Sequence, residues 1–165
     1  TKGAYIWLTY SLGKVTRDDG EQVFPTIFDR RHNINFLATY AFGENQSWEA
    51  SARWNMGSGF PFTLTQGFYQ DVSFDEFVFT DVLTGNFDLN TLLSDTRNDG
   101  RLSYYHRLDL SLKKTFEFKK DFKLEAILSV TNVYDRDNIF FIDRITNNRV
   151  NQLPILPSIG LAVHF

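Results

Sequence analysis

The chain has 165 residues, 17 basic against 20 acidic for a net charge of −3, no cysteine, 17 phenylalanines and seven tyrosines. Without cysteine it has no disulfide framework, and a mean hydropathy of −0.28 with no run of about 18 apolar residues leaves no candidate for a membrane-spanning helix. Slight acidity argues against a nucleic-acid partner, which calls for a basic stripe, while abundant aromatics beside four prolines favour strands over helices.

Alternation with a period of two predicts about six strands, each with one face almost free of charge. The first, Ala4 to Lys14, sets Ile6, Leu8, Tyr10 and Leu12 against Tyr5, Trp7, Thr9 and Ser11. The second, His32 to Phe42, sets Ile34, Phe36, Ala38, Tyr40 and Phe42 against Asn33, Asn35, Leu37, Thr39 and Ala41, then turns through Gly43 to Ser47. The third sets Trp48, Ala50, Ala52, Trp54 and Met56 against Glu49, Ser51, Arg53 and Asn55. A fourth, about Tyr104 to Phe118, opposes Leu108, Leu110 and Leu112 to Arg107, Asp109, Ser111 and Lys113, and turns at Lys119-Lys120-Asp121. The fifth opposes Phe122, Leu124, Ala126, Leu128 and Val130 to Lys123, Glu125, Ile127, Ser129 and Thr131. The sixth ends the sequence given, with Leu161, Val163 and Phe165 on one face and Ser158, Gly160, Ala162 and His164 on the other.

The connections alternate in length. Those at 43–47 and 119–121 are short, while 15–31, 57–103 and 132–153 are long, which is the pattern of an outer-membrane β-barrel with short turns periplasmic and long loops extracellular. Interleaving lipid-facing and lumen-facing residues keeps the mean hydropathy of such a barrel low, so a hydropathy near zero does not exclude a membrane. Phe42, Trp48, Phe116, Phe118, Phe122 and Phe165 fall on the outward face near the short-turn rim, where an aromatic girdle belongs. Lys114 breaks the apolar stripe between Leu112 and Phe116. A lysine costs roughly 2–4 kcal/mol at the bilayer midplane and little near the interface, so it is expected at the lower interface or beside a β-bulge.

Six strands are even in number but too few to close, since bacterial single-chain barrels begin at about eight. Either the long 57–103 segment hides two more, around Phe74 to Thr80, or the chain is the last part of a larger barrel. The Asp-Gly and Asn-rich interruptions of that segment, and its acids Asp71, Asp75, Glu76, Asp81, Asp88, Asp95 and Asp99, favour the fragment. A start at Thr1-Lys2-Gly3 without signal peptide or initiator methionine is expected of a mature product or a piece of something longer.

Five segments taken in order carry a more specific signal: Phe28-Asp29-Arg30-Arg31-His32-Asn33-Ile34-Asn35, Trp54-Asn55-Met56-Gly57-Ser58-Gly59-Phe60-Pro61-Phe62-Thr63, Tyr104-Tyr105-His106-Arg107-Leu108-Asp109-Leu110-Ser111, Val130-Thr131-Asn132-Val133-Tyr134-Asp135 and Leu153-Pro154-Ile155-Leu156-Pro157-Ser158-Ile159-Gly160. Together they resemble the carboxy-terminal third of TonB-dependent outer-membrane receptors. The resemblance implies an antiparallel transmembrane barrel of 22 strands of which residues 1–165 supply about the last six, a plug domain and TonB box lying outside these residues, and energised import of a nutrient (iron chelate, vitamin, glycan or peptide) across the cell outer membrane. It also implies as partners the outer-membrane lipid, the rest of the parent barrel and its plug, the TonB complex and the barrel-assembly machinery, for which Ser158, Gly160, Val163 and Phe165 are similar to the recognition signal. Two other readings stay open at this point: a self-contained small outer-membrane barrel, adhesive or structural, and a soluble β-sandwich binding module.

Chemical motifs point to no reaction and no cofactor. His32, His106 and His164 lack metal-ligand spacing, and two of them adjoin arginine. Gly57-Ser58-Gly59 lacks the lysine and helix of a phosphate-binding loop and reads as a strand exit. Asp18-Asp19-Gly20 and Asn98-Asp99-Gly100 read as turns rather than calcium loops. Two sets of residues are candidates for function: Arg53, Arg107, Asp109, Lys113 and Glu125 facing a lumen, where they pair with each other or with a plug, and Phe60, Phe62, Phe68, Tyr69 and Phe77, with Phe74 and Phe79, in the long loop, where a ligand can touch them.

Overall fold

A computed structural model describes residues 3–70, 89–119, 122–146 and 148–165. Its body is one sheet of six antiparallel strands in chain order: β1 (Ala4–Leu12), β2 (His32–Phe42), β3 (Trp48–Gly57), β4 (Tyr105–Lys119), β5 (Phe122–Thr131) and β6 (Leu156–His164). The chain is thus an all-β antiparallel protein, and no helix among the described residues is long and apolar enough to cross a membrane. Every strand pairs with its neighbour in sequence, the simplest outcome when local connections bring alternating strands together. The sheet is open: among the described residues β1 pairs only with β2 and β6 only with β5, and no closed barrel is formed.

Register carries the alternation of single strands across the whole sheet. One row runs Ile6, Ala38, Ala52, Leu110, Val130, Pro157, and the next Ala4, Tyr40, Ala50, Leu112, Leu128, Ile159. Side chains directly opposite share a face, so the apolar stripes merge into one continuous face in which, from β1 to Phe118 of β4, Lys114 is the formal charge that interrupts them. A slip of one residue in any strand would break it. Among the described residues nothing packs on this face. Ile6 is 69% exposed, Leu110 41% and Ile159 76%, and the buried apolar side chain among the described residues is Phe24, which belongs to a loop. A sandwich would bury one face of each sheet against the other.

The two short connections differ from the long ones in kind. Gly43–Ser47 is a single 3-10 turn, with Gly43 at φ 81° and Asn45 and Gln46 at φ 52° and 54°, and a β-carbon at Gly43 would strike the Trp48 ring. Across the other turn, whose Lys120 and Asp121 lie outside the described residues, Lys119 pairs with Phe122 after a register shift at Glu117/Lys119. The long connections hold two-stranded ribbons of their own: Thr16–Asp18 with Val23–Pro25, Pro61–Phe62 with Gly100–Arg101, Thr65–Gln70 with Leu89–Leu93, and Ile139–Ile142 with Arg149–Asn151. None joins the main sheet. Extra strands in 57–103 therefore exist among the described residues as two separate ribbons, whereas the expected Phe74 to Thr80 strand lies outside them. The first strand ends at Leu12, two residues short of the expected Lys14, with one further cross-strand bond from the Gly13 N–H to the Arg31 carbonyl at 3.0 Å.

Candidate functional site

The second face of the sheet is polar and ordered in rows. Its central row is made of hydroxyls from six consecutive strands: Tyr5, Thr39, Ser51, Ser111, Ser129 and Ser158. Ser51 and Ser111 lie 2.6 Å apart, and Ser129 and Ser158 2.7 Å. On the short-turn side of this row stand Glu49, Glu117 and Glu125 with Lys113 and Lys123, where Lys113 pairs with Glu49 at 3.3 Å, Lys123 with Glu117 at 2.8 Å, and His164 lies 3.9 Å from Glu125. On the long-loop side stand Arg53, Arg107 and Asp109. All five lumen candidates therefore share this face, Arg53, Arg107 and Asp109 on the long-loop side of the hydroxyl row and Lys113 and Glu125 on the short-turn side.

Asp109 is engaged at both oxygens. Its Oδ2 accepts from Arg107 Nη2 at 2.9 Å and its Oδ1 from the Asn132 N–H at 3.0 Å. Arg53 stands directly opposite Asp109 in register yet makes no ion pair among the described residues. One row further up, Asn55 donates to Asn35 at 2.6 Å and Asn35 to Thr9 at 3.4 Å.

A third arginine joins this end of the face. The Arg30 guanidinium rests over Gly57, whose missing β-carbon would stand 2.6 Å from Cζ, and lies 4.3 Å from the Phe60 ring centre and 5.5 Å from that of Tyr105. Tyr105 is the register partner of Gly57, so Arg30 occupies the polar face at its long-loop edge. Its Nε is buried without a partner, and burial pulls the guanidinium below its ordinary value.

Around this edge the loops are held by buried polar groups. Asp29, 1% exposed, pairs with the Arg101 guanidinium and accepts from the Val15 N–H at 2.7 Å, while Arg101 also donates to the Gly59 carbonyl at 3.2 Å. Burial opposes ionisation of Asp29, but Arg101 and the Val15 N–H outweigh it and hold the carboxyl below the ordinary carboxylate range. Asn132, fully buried and at φ 54°, donates through Nδ2 to the Arg136 and Leu153 carbonyls at 3.0 and 3.2 Å and accepts from the Arg136 N–H at 3.1 Å. Asn138 uses its amide as a strand would use its backbone, accepting from His106 N–H at 3.1 Å and donating to the His106 carbonyl at 2.9 Å. Ser58 Oγ accepts from the His32 N–H at 3.0 Å. The Gly-Ser-Gly run is thus a strand exit with two further tasks, seating Arg30 and tying β2. The Asp18-Asp19-Gly20 turn is closed by its own carboxylates, with Asp18 accepting from Gly20 N–H at 2.9 Å and Asp19 from Gln22 N–H at 2.9 Å.

Three of the loop aromatics come together. Phe60, Phe62 and Phe68 line a cavity of about 1030 Å³ with Phe28, which heads the first of the motif segments, with Phe140, Phe141 and Ile142, which sequence reasoning did not single out, and with Arg144. Tyr69 is exposed on the ribbon beside it and does not line it, and Phe77, Phe74 and Phe79 lie outside the described residues. The missed residues had one sequence signal, the Ile139-Phe140-Phe141-Ile142 run inside a loop.

On the apolar face, aromatics gather at the short-turn end. Tyr40 stacks on Phe42 at 5.8 Å between ring centres, Phe42 on Trp48 at 6.1 Å, and Phe118 approaches Phe122 at 5.6 Å. Lys114 bends to the turn, donating to Ser47 Oγ at 2.7 Å with its ammonium 4.8 Å from the Trp48 ring. The terminal residues sit on the free-edged β6: Ser158 bonds to Ser129, Gly160 stands opposite Ile127, Val163 opposite Leu124, and Phe165 projects past the last pair. His32 and His106 each pair with a tyrosine hydroxyl, Tyr10 at 3.0 Å and Tyr134 at 2.8 Å, and no group of three metal-ligating side chains occurs among the described residues. No family model matches this chain, and neither a curated protein nor a solved structure shows significant similarity to it.

Proposed function

We propose that this chain is the carboxy-terminal barrel segment of a TonB-dependent outer-membrane transporter, with the apolar face toward lipid, the polar face toward the lumen, the short turns periplasmic and the long loops extracellular. One observation carries the reading: an apolar face, continuous over six adjacent strands and uncovered by any of the described residues. At least twelve of its large side chains, from Ile6 and Leu8 on β1 to Leu161 and Val163 on β6, are exposed. Burying each would contribute about 1.5–3 kcal/mol, a total above the ~5–15 kcal/mol stability of a typical domain. Such a face calls for an apolar surrounding, and an isolated sheet in water does not supply one.

Three further features agree with lipid. The strands are 9–15 residues long, against the ~9–11 a tilted membrane strand needs. Aromatics and the one lysine collect at the rim of short turns. The two free edges, β1 and β6, take further strands of a parent barrel, which leaves no edge exposed. Import of a nutrient, with ligand caught by the long loops and passage opened by pulling on a plug, follows from the resemblance of the motif set, and in this reading the chain catalyses nothing. The test uses the whole protein in cells. It should fractionate with the outer membrane, require detergent for extraction and migrate differently on gels with and without heating, and substrate uptake should cease when TonB is removed. Release by salt or alkali without detergent would overturn the reading.

A further inference from the structure

Among the described residues, the polar face carries an excess of cation at its long-loop end that the carboxylates there do not neutralise. Arg30, Arg53 and Arg107 share that end of the face with one carboxylate among the described residues, Asp109, and each oxygen of Asp109 already accepts a hydrogen bond, from Arg107 and from the Asn132 N–H. Arg53 and Arg30 have no carboxylate partner among the described residues. Arg30 is held in place by shape: a glycine beneath it, Phe60 and Tyr105 rings beside it, and a buried Nε with no hydrogen-bond acceptor. Seating a guanidinium this closely without an anion is costly, because a partly desolvated charge needs a partner. A fixed, planar fork is also the geometry that grips carboxylate or phosphate through two parallel bonds.

The spacing of the three is set by the strands. Arg107 follows Tyr105 on the same face, about 7 Å along β4, and Arg53 lies four residues from Gly57, about 13 Å along β3. Those separations are within the combined reach of two arginine side chains, so the groups can hold one anion in common or successive anionic groups of one molecule. Beyond the hydroxyl row the sign reverses, with Glu49, Glu117 and Glu125 outnumbering Lys113 and Lys123. An anion entering from the long-loop end is therefore attracted to the first half of the face and repelled by the second.

We propose that this arginine cluster is a binding site for a small polyanionic solute bearing carboxylate or phosphate groups, with Arg30 as the fixed seat and Arg53 and Arg107 as its companions. The inference rests on the reading that the polar face lines a lumen, and it adds the chemical class of what the lumen holds.

The test is calorimetric titration of the full-length protein in lipid nanodiscs with citrate and, separately, inorganic phosphate, at low and raised salt. Expected are saturable citrate binding that weakens with salt, a loss of tenfold or more in Arg53→Gln and in Arg30→Gln, partial recovery in Arg30→Lys, which restores charge without the fork, and no change in Lys123→Gln, whose ammonium pairs with Glu117. Arg53 is exposed and unpaired, so its variant keeps the test decisive if Arg30→Gln fails to assemble. Absence of saturable binding, or binding that both arginine variants leave unchanged, overturns the proposal and leaves Arg30 as a stacking strut; phosphate bound without citrate would restrict the site to phosphate. The same nanodiscs, labelled at Ser51→Cys and Ala52→Cys with a water-soluble thiol reagent, separate the two failures. If only position 51 reacts and no anion binds, this inference falls and the lumen reading stands; if position 52 reacts instead, the lumen reading itself falls.

Discussion

Asn132 gives its backbone N–H to Asp109 Oδ1 at 3.0 Å, and that bond joins the start of the last long loop to the polar face of β4. The Asn132 side chain then closes both ends of the loop by binding the Arg136 backbone and the Leu153 carbonyl. One asparagine thus holds the geometry through which the chain leaves β5 and returns as β6.

Asn132→Ala should destabilise the assembled protein by about 2–4 kcal/mol, because it strands buried backbone partners and removes a residue suited to a left-handed φ. Urea unfolding in detergent micelles would measure it. Asp109→Asn should cost less, since an amide oxygen still accepts from the Asn132 N–H. A null effect of Asn132→Ala would mean that the loop is held elsewhere.

The Asp29–Arg101 pair makes the loops sensitive to acid. With the folded carboxyl held below its ordinary 3.8 by Arg101 and the Val15 N–H against the penalty of burial, its stabilisation is complete above that value. It is lost as pH falls through the lower folded value. Proteolysis of the long loops, followed from neutral pH downward, should rise only in that acid range for the natural protein. In Asp29→Asn it should be higher already at neutral pH and change less on acidification.

Charges placed on the two faces should behave oppositely. Ala52→Lys puts an ammonium on the apolar face beside Ala38 and Leu110 and should cost about 2–4 kcal/mol in a bilayer. Ser51→Lys, one residue away, points to the polar face and should cost little beyond its bond to Ser111. Refolding equilibria in vesicles would report both, and equal costs would argue against the sidedness proposed here.

Phe165 follows the last pair of β6 and is wholly exposed, so it contributes little packing to the sheet. Phe165→Ala should therefore lower the yield of outer-membrane insertion while leaving unfolding of the inserted fraction and ligand affinity unchanged. Parallel loss of yield and affinity would remove its role as an assembly signal.

The strands and their two faces were legible because alternation is local: each of β1–β6 shows its apolar and polar sides in its own residues, and the observed register aligns them. The rim was not legible for the opposite reason. Asn132 and Asn138 look like ordinary solvated loop residues, and their burial depends on β4 groups 23 and 32 residues away. Arg30 stood out only as part of a motif, since what seats it is a missing side chain at Gly57 on another strand. The cavity was half visible: Phe60, Phe62 and Phe68 were candidates, but Phe140 and Phe141 reach it from a different loop.

The most direct test of the membrane reading is a cysteine scan of β3 in outer membranes, from position 48 to 57, with a water-soluble thiol reagent and a lipid-phase quencher applied to the same set. Strict alternation is expected, with 50, 52 and 54 shielded from the reagent and quenched from lipid, and 51, 53 and 55 reactive and unquenched. Water access at 50, 52 and 54, or shielding of both sets from lipid, would contradict it.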